Sequence, residues 1–126
     1  MKPNILHIED NPDNMMLIRR ILPPDSYNLI ECGSGIQGVS IAESQAIDLI
    51  LLDINLPDID GYEVARRLRA SPKTTLANTP IIVITANAMK GDAQKALAAG
   101  ADVYMSKPIN IQELLDKVES FVLKEA

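Results

Sequence analysis

The sequence has little cysteine and few aromatic residues, and it lacks any long hydrophobic run. Cys32 is the one cysteine among 126 residues, which excludes an internal disulfide and favours a reducing compartment. No apolar segment approaches the roughly 20 residues that a membrane helix needs, and the start "MKPNILHIED" has no long signal-peptide core. We therefore expect a cytoplasmic protein with no membrane partner.

Positive charge is also scarce. The chain has 12 basic and 17 acidic residues and a formal net charge of -5, so a nucleic-acid partner, which needs its phosphates neutralised, is not expected. The basic residues that do cluster are predicted to be a solvated helix face, and they are Arg66, Arg67, Arg69 and Lys73. The length and the 47% hydrophobic content suit one packed domain. We expect that domain to span residues 1–126, with no output domain.

Short apolar runs alternate with longer segments of helical periodicity. The runs predict strands at residues 4–8, 27–32, 48–52, 80–85 and 101–105. Asn11 before Pro12, and Asp60 with Glu63 three residues on, are typical of helix starts, and Gly100 suits a helix end. The order is therefore β-α repeated five times.

The first, third and fourth strands are almost unbroken apolar runs, as strands covered by helices on both faces are. A parallel sheet with helical crossovers follows, and sites in such sheets form beyond the carboxyl ends of the strands. The polar residues at these ends are Glu9, Asp10, Asp53, Thr85, Ser106 and Lys107. Core packing explains none of them.

Three carboxylates at one edge repel one another, and a hard divalent cation such as Mg2+ relieves that repulsion. Lys107 would add a fixed positive charge and leave room for an anion between lysine and metal. Asp53, on the middle strand, is the candidate nucleophile that attacks phosphorus and becomes an acyl phosphate. Glu9 and Asp10 would hold Mg2+, and Thr85 would hydrogen-bond a phosphoryl oxygen.

Four motifs carry a family resemblance: "IEDN" (8–11), "LLDINLPDIDG" (51–61), "ITANA" (84–88) and "MSKPI" (105–109). Together they resemble the receiver domain of two-component response regulators, over essentially the whole chain and in the right order. The detail is similar to the stand-alone, DivK-like branch and to receivers of hybrid histidine kinases. The resemblance implies a flavodoxin-like (βα)5 doubly wound fold with strand order 2-1-3-4-5.

The resemblance also implies roles for individual residues. Asp53 matches the phosphoacceptor, and Glu9 with Asp10 match the acidic pair that binds Mg2+. The backbone carbonyl of Asn55 matches the remaining protein ligand of the metal.

Further matches concern the switch. Thr85 and Lys107 match the switch hydroxyl and the phosphate-binding lysine. Lys107-Pro108 matches a bond that is cis in the family, and Tyr104 matches the aromatic that turns inward on activation. The face made by the fourth helix, fifth strand and fifth helix is expected to change shape on phosphorylation.

Five polar residues keep a second interpretation. Asn55 and Asn87 either tune hydrolysis of the acyl phosphate or are turn residues. Asp60 is expected to cap a helix and Asp58 to lie on the loop surface. His7, inside the first strand where an aliphatic residue is more usual, is expected to be a hydrogen-bonded core residue.

The implied partners are a sensor histidine kinase or histidine phosphotransfer protein and a downstream protein target, with the chain a monomer or weak dimer. Two alternatives remain beside the hybrid-kinase receiver. One is a phosphate-independent interaction module, which the intact set of site residues disfavours. The other is a flavodoxin-like cofactor carrier or small phosphatase, which the acidic "EDNPDN" loop disfavours, because it would repel a cofactor phosphate.

Overall fold

The computed structural model describes residues 2–86 and 91–122. A parallel five-stranded sheet has the order β2-β1-β3-β4-β5, as predicted. The strands are β1 (Asn4–Ile8), β2 (Asn28–Cys32), β3 (Leu49–Leu52), β4 (Ile81–Thr85) and β5 (Val103–Ser106). Within the described ranges, no helix combines the length and the apolarity needed to cross a membrane.

Helices connect the strands. They are α1 (Pro12–Ile21), α2 (Gly35–Ser44), α3 (Gly61–Arg69), α4 (Thr74–Ala77), α5 (Asp92–Ala99) and α6 (Ile111–Val122). The four-residue α4 was not predicted, because a single turn is too short to display an apolar period. The predicted fourth and fifth helices are therefore α5 and α6.

Alternation along the strands divides the core into two layers. In β3, Ile50 and Leu52 face a cluster formed with α2, α3, α4 and α5, whereas Leu49 and Leu51 face a second cluster formed with α1 and α6. All four side chains are at most 1% exposed. Burial on both faces explains why this strand is apolar throughout and why its first polar residue marks its end.

The predicted helix starts have the expected capping hydrogen bonds. Asn11 Oδ1 accepts the backbone N–H of Asp13 at 2.8 Å, and Asp60 Oδ1 accepts that of Glu63 at 2.9 Å. The Glu63 carboxylate pairs with the two arginines one turn further along α3. The cap at Asp60 therefore fixes where α3 begins, at the end of the loop that follows β3.

Arg69 does not belong to a solvated face, contrary to the prediction. Its guanidinium donates to the carbonyls of Gly100 at 2.8 Å and Thr79 at 2.6 Å, and it pairs with Asp102 at 2.8 Å. Asp102 in turn accepts the backbone N–H of Ile81. Asp102 therefore bridges Arg69 and the start of β4. The strand β5 begins after it, at Val103, two residues later than predicted.

Lys73 is the second exception to the predicted solvated face. Its ammonium donates to the carbonyls of Ala42 at 3.2 Å and Gln45 at 2.8 Å, at the end of α2. The last turn of α2 has no basic residue of its own. Lys73 therefore supplies the positive charge that favours a helix C-terminus. Arg66 and Arg67 are exposed, as predicted.

Candidate functional site

The sheet's backbone hydrogen bonds extend past the strands and place the candidate residues. Asp53 follows β3, and its N–H donates to the Ile8 carbonyl of β1 at 3.1 Å. Glu9 follows β1, and its N–H donates to β2 at 3.0 Å. The Lys107 N–H donates to the Thr85 carbonyl at 2.8 Å. The residues that follow β1, β3 and β5, together with Thr85 at the end of β4, therefore lie at one edge of the sheet.

Three carboxylates meet at this edge. Ligand atoms of Glu9, Asp10 and Asp53 all lie within 4.8 Å of one another. Glu9 is 2% exposed and Asp53 is 6% exposed, whereas Asp10 is open to solvent. The Lys107 ammonium contacts Glu9 Oε1 at 3.2 Å. The cluster is therefore largely buried, with one exposed acid and one lysine at its rim.

The environment of Asp53 disfavours its ionised form. Burial is the main cause, and the charge of Glu9 adds to it, so that the pKa of Asp53 rises to about 6 although Lys107 acts in the opposite direction. The Asn55 N–H is 3.4 Å from Asp53 Oδ1, a long contact that offsets little of this. A cation placed among the acids would remove the penalty.

The donor set suits a hard divalent cation. The acids offer carboxylate oxygens only, which are the ligands that Mg2+ prefers, and the exposed Asp10 leaves a side of the cluster open to water. The cluster includes no soft ligand, and the thiol of Cys32 is buried at the end of β2. The residues present therefore fit the metal that the sequence predicts.

The two candidate switch residues lie on neighbouring strands. Thr85, the last residue of β4, is 2% exposed and pairs with Ser106 of β5. Tyr104 is half-buried and packs against the cluster of α2, α3, α4 and α5. Its hydroxyl is buried and has no hydrogen-bond partner within the described residues. Tyr104 is therefore partly exposed, while its hydroxyl points into the protein and is unpaired within the described residues.

The remaining predicted residues lie around the same edge. The Lys107-Pro108 peptide bond is cis. Asn55, two residues after Asp53, is exposed. Asn87 lies outside the described residues.

The glycine that ends the "PDIDG" segment, Gly61, is required by a close backbone contact. Its N–H donates to the Ile54 carbonyl at 2.9 Å, and a Cβ there would lie 2.5 Å from the Asp53 carbonyl oxygen and 2.8 Å from Ile54 Cα. Backbone atoms cannot move aside as a flexible side chain can. Only glycine lets α3 start so close to the phosphoacceptor candidate.

Asp58 does more than was predicted for a loop-surface acid. Its two carboxylate oxygens accept the backbone N–H groups of Gly35 and Ile36, each at 2.8 Å. These hydrogen bonds, that of Ile36 foremost, lower the pKa of Asp58 to about 2. The first turn of α2 has no acidic residue of its own, although a helix N-terminus favours negative charge. That absence was the signal in the sequence that an acid from another segment could take this place. Asp58 thus fastens the loop after Asp53 to α2.

His7 is buried as predicted, but one of its two ring nitrogens lacks the predicted hydrogen bond within the described residues. It is 3% exposed, and its Nδ1 atom has no partner within the described part of the chain. Burial lowers the pKa of His7 to about 4, although Glu9 and Glu31 act in the opposite direction. The imidazole is therefore neutral at pH 7.

Comparisons with known proteins identify the family of the chain. The family model of the response regulator receiver domain matches residues 5–119. The polar-differentiation response regulator DivK of Brucella ovis is 34% identical over 122 residues, which are 97% of this chain and 98% of that protein.

Solved structures show the same fold. The receiver domain of the sensor histidine kinase PA1611 from Pseudomonas aeruginosa PAO1, with a magnesium ion coordinated in its active site cleft, aligns with a TM-score of 0.87 and 37% identity over 98% of this chain and 100% of that one. A CheY-like receiver protein from Methanospirillum hungatei JF-1 aligns at 0.83 and 27%, over 95% and 93% of the two chains. The chain therefore belongs to the response regulator receiver domain family and is a phosphoacceptor switch of two-component signal transduction.

Proposed function

We propose that Asp53 accepts a phosphoryl group from phosphohistidine, with Lys107 and Thr85 stabilising the transferred group. The observation that carries this proposal is the position of Asp53. It is a buried carboxylate at the end of the middle strand, beside Glu9 and Asp10. Burial of this carboxylate next to Glu9 disfavours its ionised form and so costs stability, and a site of reaction accounts for that cost.

The reaction transfers one group between two atoms. A carboxylate oxygen of Asp53 attacks phosphorus while the bond from phosphorus to the histidine nitrogen breaks, and the imidazole keeps the electron pair and a proton. Asp53 must be ionised to attack, and its pKa near 6 still permits this at pH 7 and above. Lys107, now at Glu9, is close enough to move to the new phosphoryl oxygens, where its charge would be favourable.

We infer that Glu9, Asp10 and Asp53, with the Asn55 carbonyl, hold Mg2+ in the active protein. The carboxylate cluster and the magnesium ion in the Pseudomonas aeruginosa PAO1 receiver support this inference. When bound, Mg2+ would neutralise the acids and the phosphoryl oxygens. The buried Glu9 carboxylate would gain most, because little solvent screens its charge.

The phosphoryl group would leave by hydrolysis, which makes the switch reversible. Asn55 and Asn87 are the residues that we propose tune the rate. Asn55 is exposed beside Asp53, where its amide can hold or exclude the attacking water.

Phosphorylation would be transmitted through Thr85 and Tyr104. The new dianion would draw the Thr85 hydroxyl toward Asp53, and the space next to β4 would then favour one position of Tyr104 over another. Because Tyr104 belongs to β5, next to β4 in the sheet, the face formed by α5, β5 and α6 would change its shape. The signal is a shift between two packings of one fold.

This face offers a surface for a protein target. Leu97 of α5 and Ile111 of α6 are 51% and 52% exposed, so these helices have apolar side chains that a partner could cover. The phosphoryl donor would be a sensor histidine kinase or a histidine phosphotransfer protein. A phosphate-independent module is disfavoured, because it would have no use for a cluster of buried acids.

The test is phosphorylation by a small donor. The protein is incubated with acetyl phosphate and Mg2+, and its intact mass is measured with and without excess EDTA. We expect one added phosphoryl group that needs Mg2+ and is lost in Asp53→Ala. Asp60→Ala, which removes an exposed acid of the same loop, is the matched control and should still be modified. No adduct on the native protein, or an equal adduct on Asp53→Ala, would refute the proposal.

A further inference from the structure

His7 occupies a position on the sheet that connects it to the phosphorylation site. It lies in β1 between Glu31 of β2 and Leu51 of β3. Residues two apart in a strand share a face, so His7 lies on the same face as Glu9 and on the side of α1 and α6. Nothing in the proposed phosphoryl transfer uses this histidine.

The neutral imidazole has one donor and one acceptor nitrogen, and both want partners when buried. Nδ1 is buried and has none among residues 2–86 and 91–122. An aliphatic residue would serve β1 packing without this unpaired atom. Within the described residues, Nδ1 therefore lacks the hydrogen-bond partner that a buried nitrogen usually has.

A small cavity lies beside His7. Its polar lining comes from His7, Glu9, Asn14, Asp53 and Lys107, and aliphatic residues close the rest. The volume open to the centre of a water molecule is about 10 Å³, close to the minimum for one water. A buried water also needs two to four polar partners, and this lining offers them.

We propose that this cavity holds one ordered water, hydrogen-bonded to His7 Nδ1 and to polar groups of the phosphorylation site, and that His7 is thereby a positioning residue for Glu9 and Lys107. The water completes the hydrogen bonding of Nδ1 and holds the side chains of Glu9 and Lys107 in position from the cavity. The water itself is independent of the proposed phosphorylation. The effect on the site rests on the proposed function.

The first experiment locates the water. A high-resolution crystal structure of the full chain is expected to show density within hydrogen-bond distance of His7 Nδ1, and His7→Leu is expected to lack it. Nuclear Overhauser contacts between long-lived water and the His7 ring provide the same information in solution. A cavity without density, or a His7 nitrogen bonded only to protein atoms, would overturn the proposal.

The second experiment tests positioning. Mg2+ affinity is measured by titration of the unphosphorylated protein, so the readout does not depend on phosphoryl transfer. We expect His7→Leu to weaken Mg2+ binding about threefold to tenfold, and His7→Gln, which retains a hydrogen-bonding side chain, to recover most of it. Ile5→Val, on the same face of β1, is the packing control and should bind Mg2+ normally.

The outcomes separate the two claims. If His7→Leu binds Mg2+ within twofold of the native protein, or if Ile5→Val weakens binding equally, His7 does not position the site. If Mg2+ binding responds as expected but the native protein accepts no phosphoryl group, the proposed function fails and the water site remains. Should His7→Leu not fold, His7→Gln and the native crystal structure still decide the matter.

Discussion

The substitution Asp53→Asn is expected to stabilise the metal-free protein while abolishing its phosphorylation. Asparagine has nearly the shape of the protonated acid, but it carries no charge that burial and Glu9 could penalise. The native carboxylate is 6% exposed, so solvent does little to screen it. The stability gain would measure how far the site is held in an unfavourable state for its reaction.

The magnitude follows from the pKa of Asp53, which rises from 3.8 to about 6. One pKa unit corresponds to about 1.4 kcal/mol, so ionised Asp53 costs the folded state up to about 3 kcal/mol. Because the folded-state value is the higher one, the unfolded chain releases this proton first, and stability falls as the pH rises from about 4 to 6. Above that range the full cost is present, and sharing of the charge with Glu9 reduces the expected gain to about 1–3 kcal/mol.

Urea unfolding followed by circular dichroism in EDTA measures this gain. Asp53→Asn should exceed the native free energy of unfolding at pH 7.5 and approach it near pH 4. Mg2+ should then stabilise the native protein more than the variant, by about 1.4 kcal/mol at ten times its dissociation constant. Asp60→Asn, an exposed helix cap, should show neither effect. A variant no more stable than the native protein at pH 7.5, or a gain that does not change with pH, would refute the reasoning.

Three further substitutions test the surroundings of the site. Arg69→Met should lower the free energy of unfolding by about 2–4 kcal/mol, because it leaves the partly buried carbonyls of Gly100 and Thr79 without their donor. Arg67→Met removes a surface pair and should cost under about 0.5 kcal/mol; equal losses in thermal unfolding would contradict this. Gly61→Ala should cost about 1–3 kcal/mol through its contact with the Asp53 carbonyl and slow phosphorylation, and a variant that is modified at the native rate would count against the close approach. The lowered pKa of Asp58 means that its carboxylate contributes stability above pH 4, which is lost as the pH falls toward 2. Asp58→Asn should therefore make the free energy of unfolding depend less on pH in that range. An unchanged pH dependence would argue against the hydrogen bonds from Asp58 to α2.

The strand ends were predictable because burial on both faces leaves a plain pattern. A short apolar run such as "LILL", with helical segments on either side of it in the sequence, favours a covered strand, and the carboxylate that follows it, Asp53, then lies at the sheet edge. The same reasoning predicted Glu9, Thr85 and Lys107 at that edge, where the structure places them. Local rules also gave the caps at Asn11 and Asp60, since a cap involves residues only two or three apart.

The interactions that escaped prediction join residues distant in sequence. Asp58 caps a helix 22 and 23 residues before it, and the Lys73 ammonium caps the same helix from the other end. Arg69 resembled its exposed neighbours in sequence, yet it meets a loop 31 residues away. These contacts depend on how α2 and α3 pack, which periodicity within one segment does not determine.

The central claim is that Asp53, and no other acid of its loop, carries the phosphoryl group. Reduction of the phosphorylated protein with borohydride converts an aspartyl phosphate to homoserine, and peptide mass spectrometry then locates it. We predict homoserine at position 53 alone, with Asp10, Asp58 and Asp60 unchanged. Homoserine at any of those three positions, or none at position 53 in protein that has gained a phosphoryl group, would contradict the account.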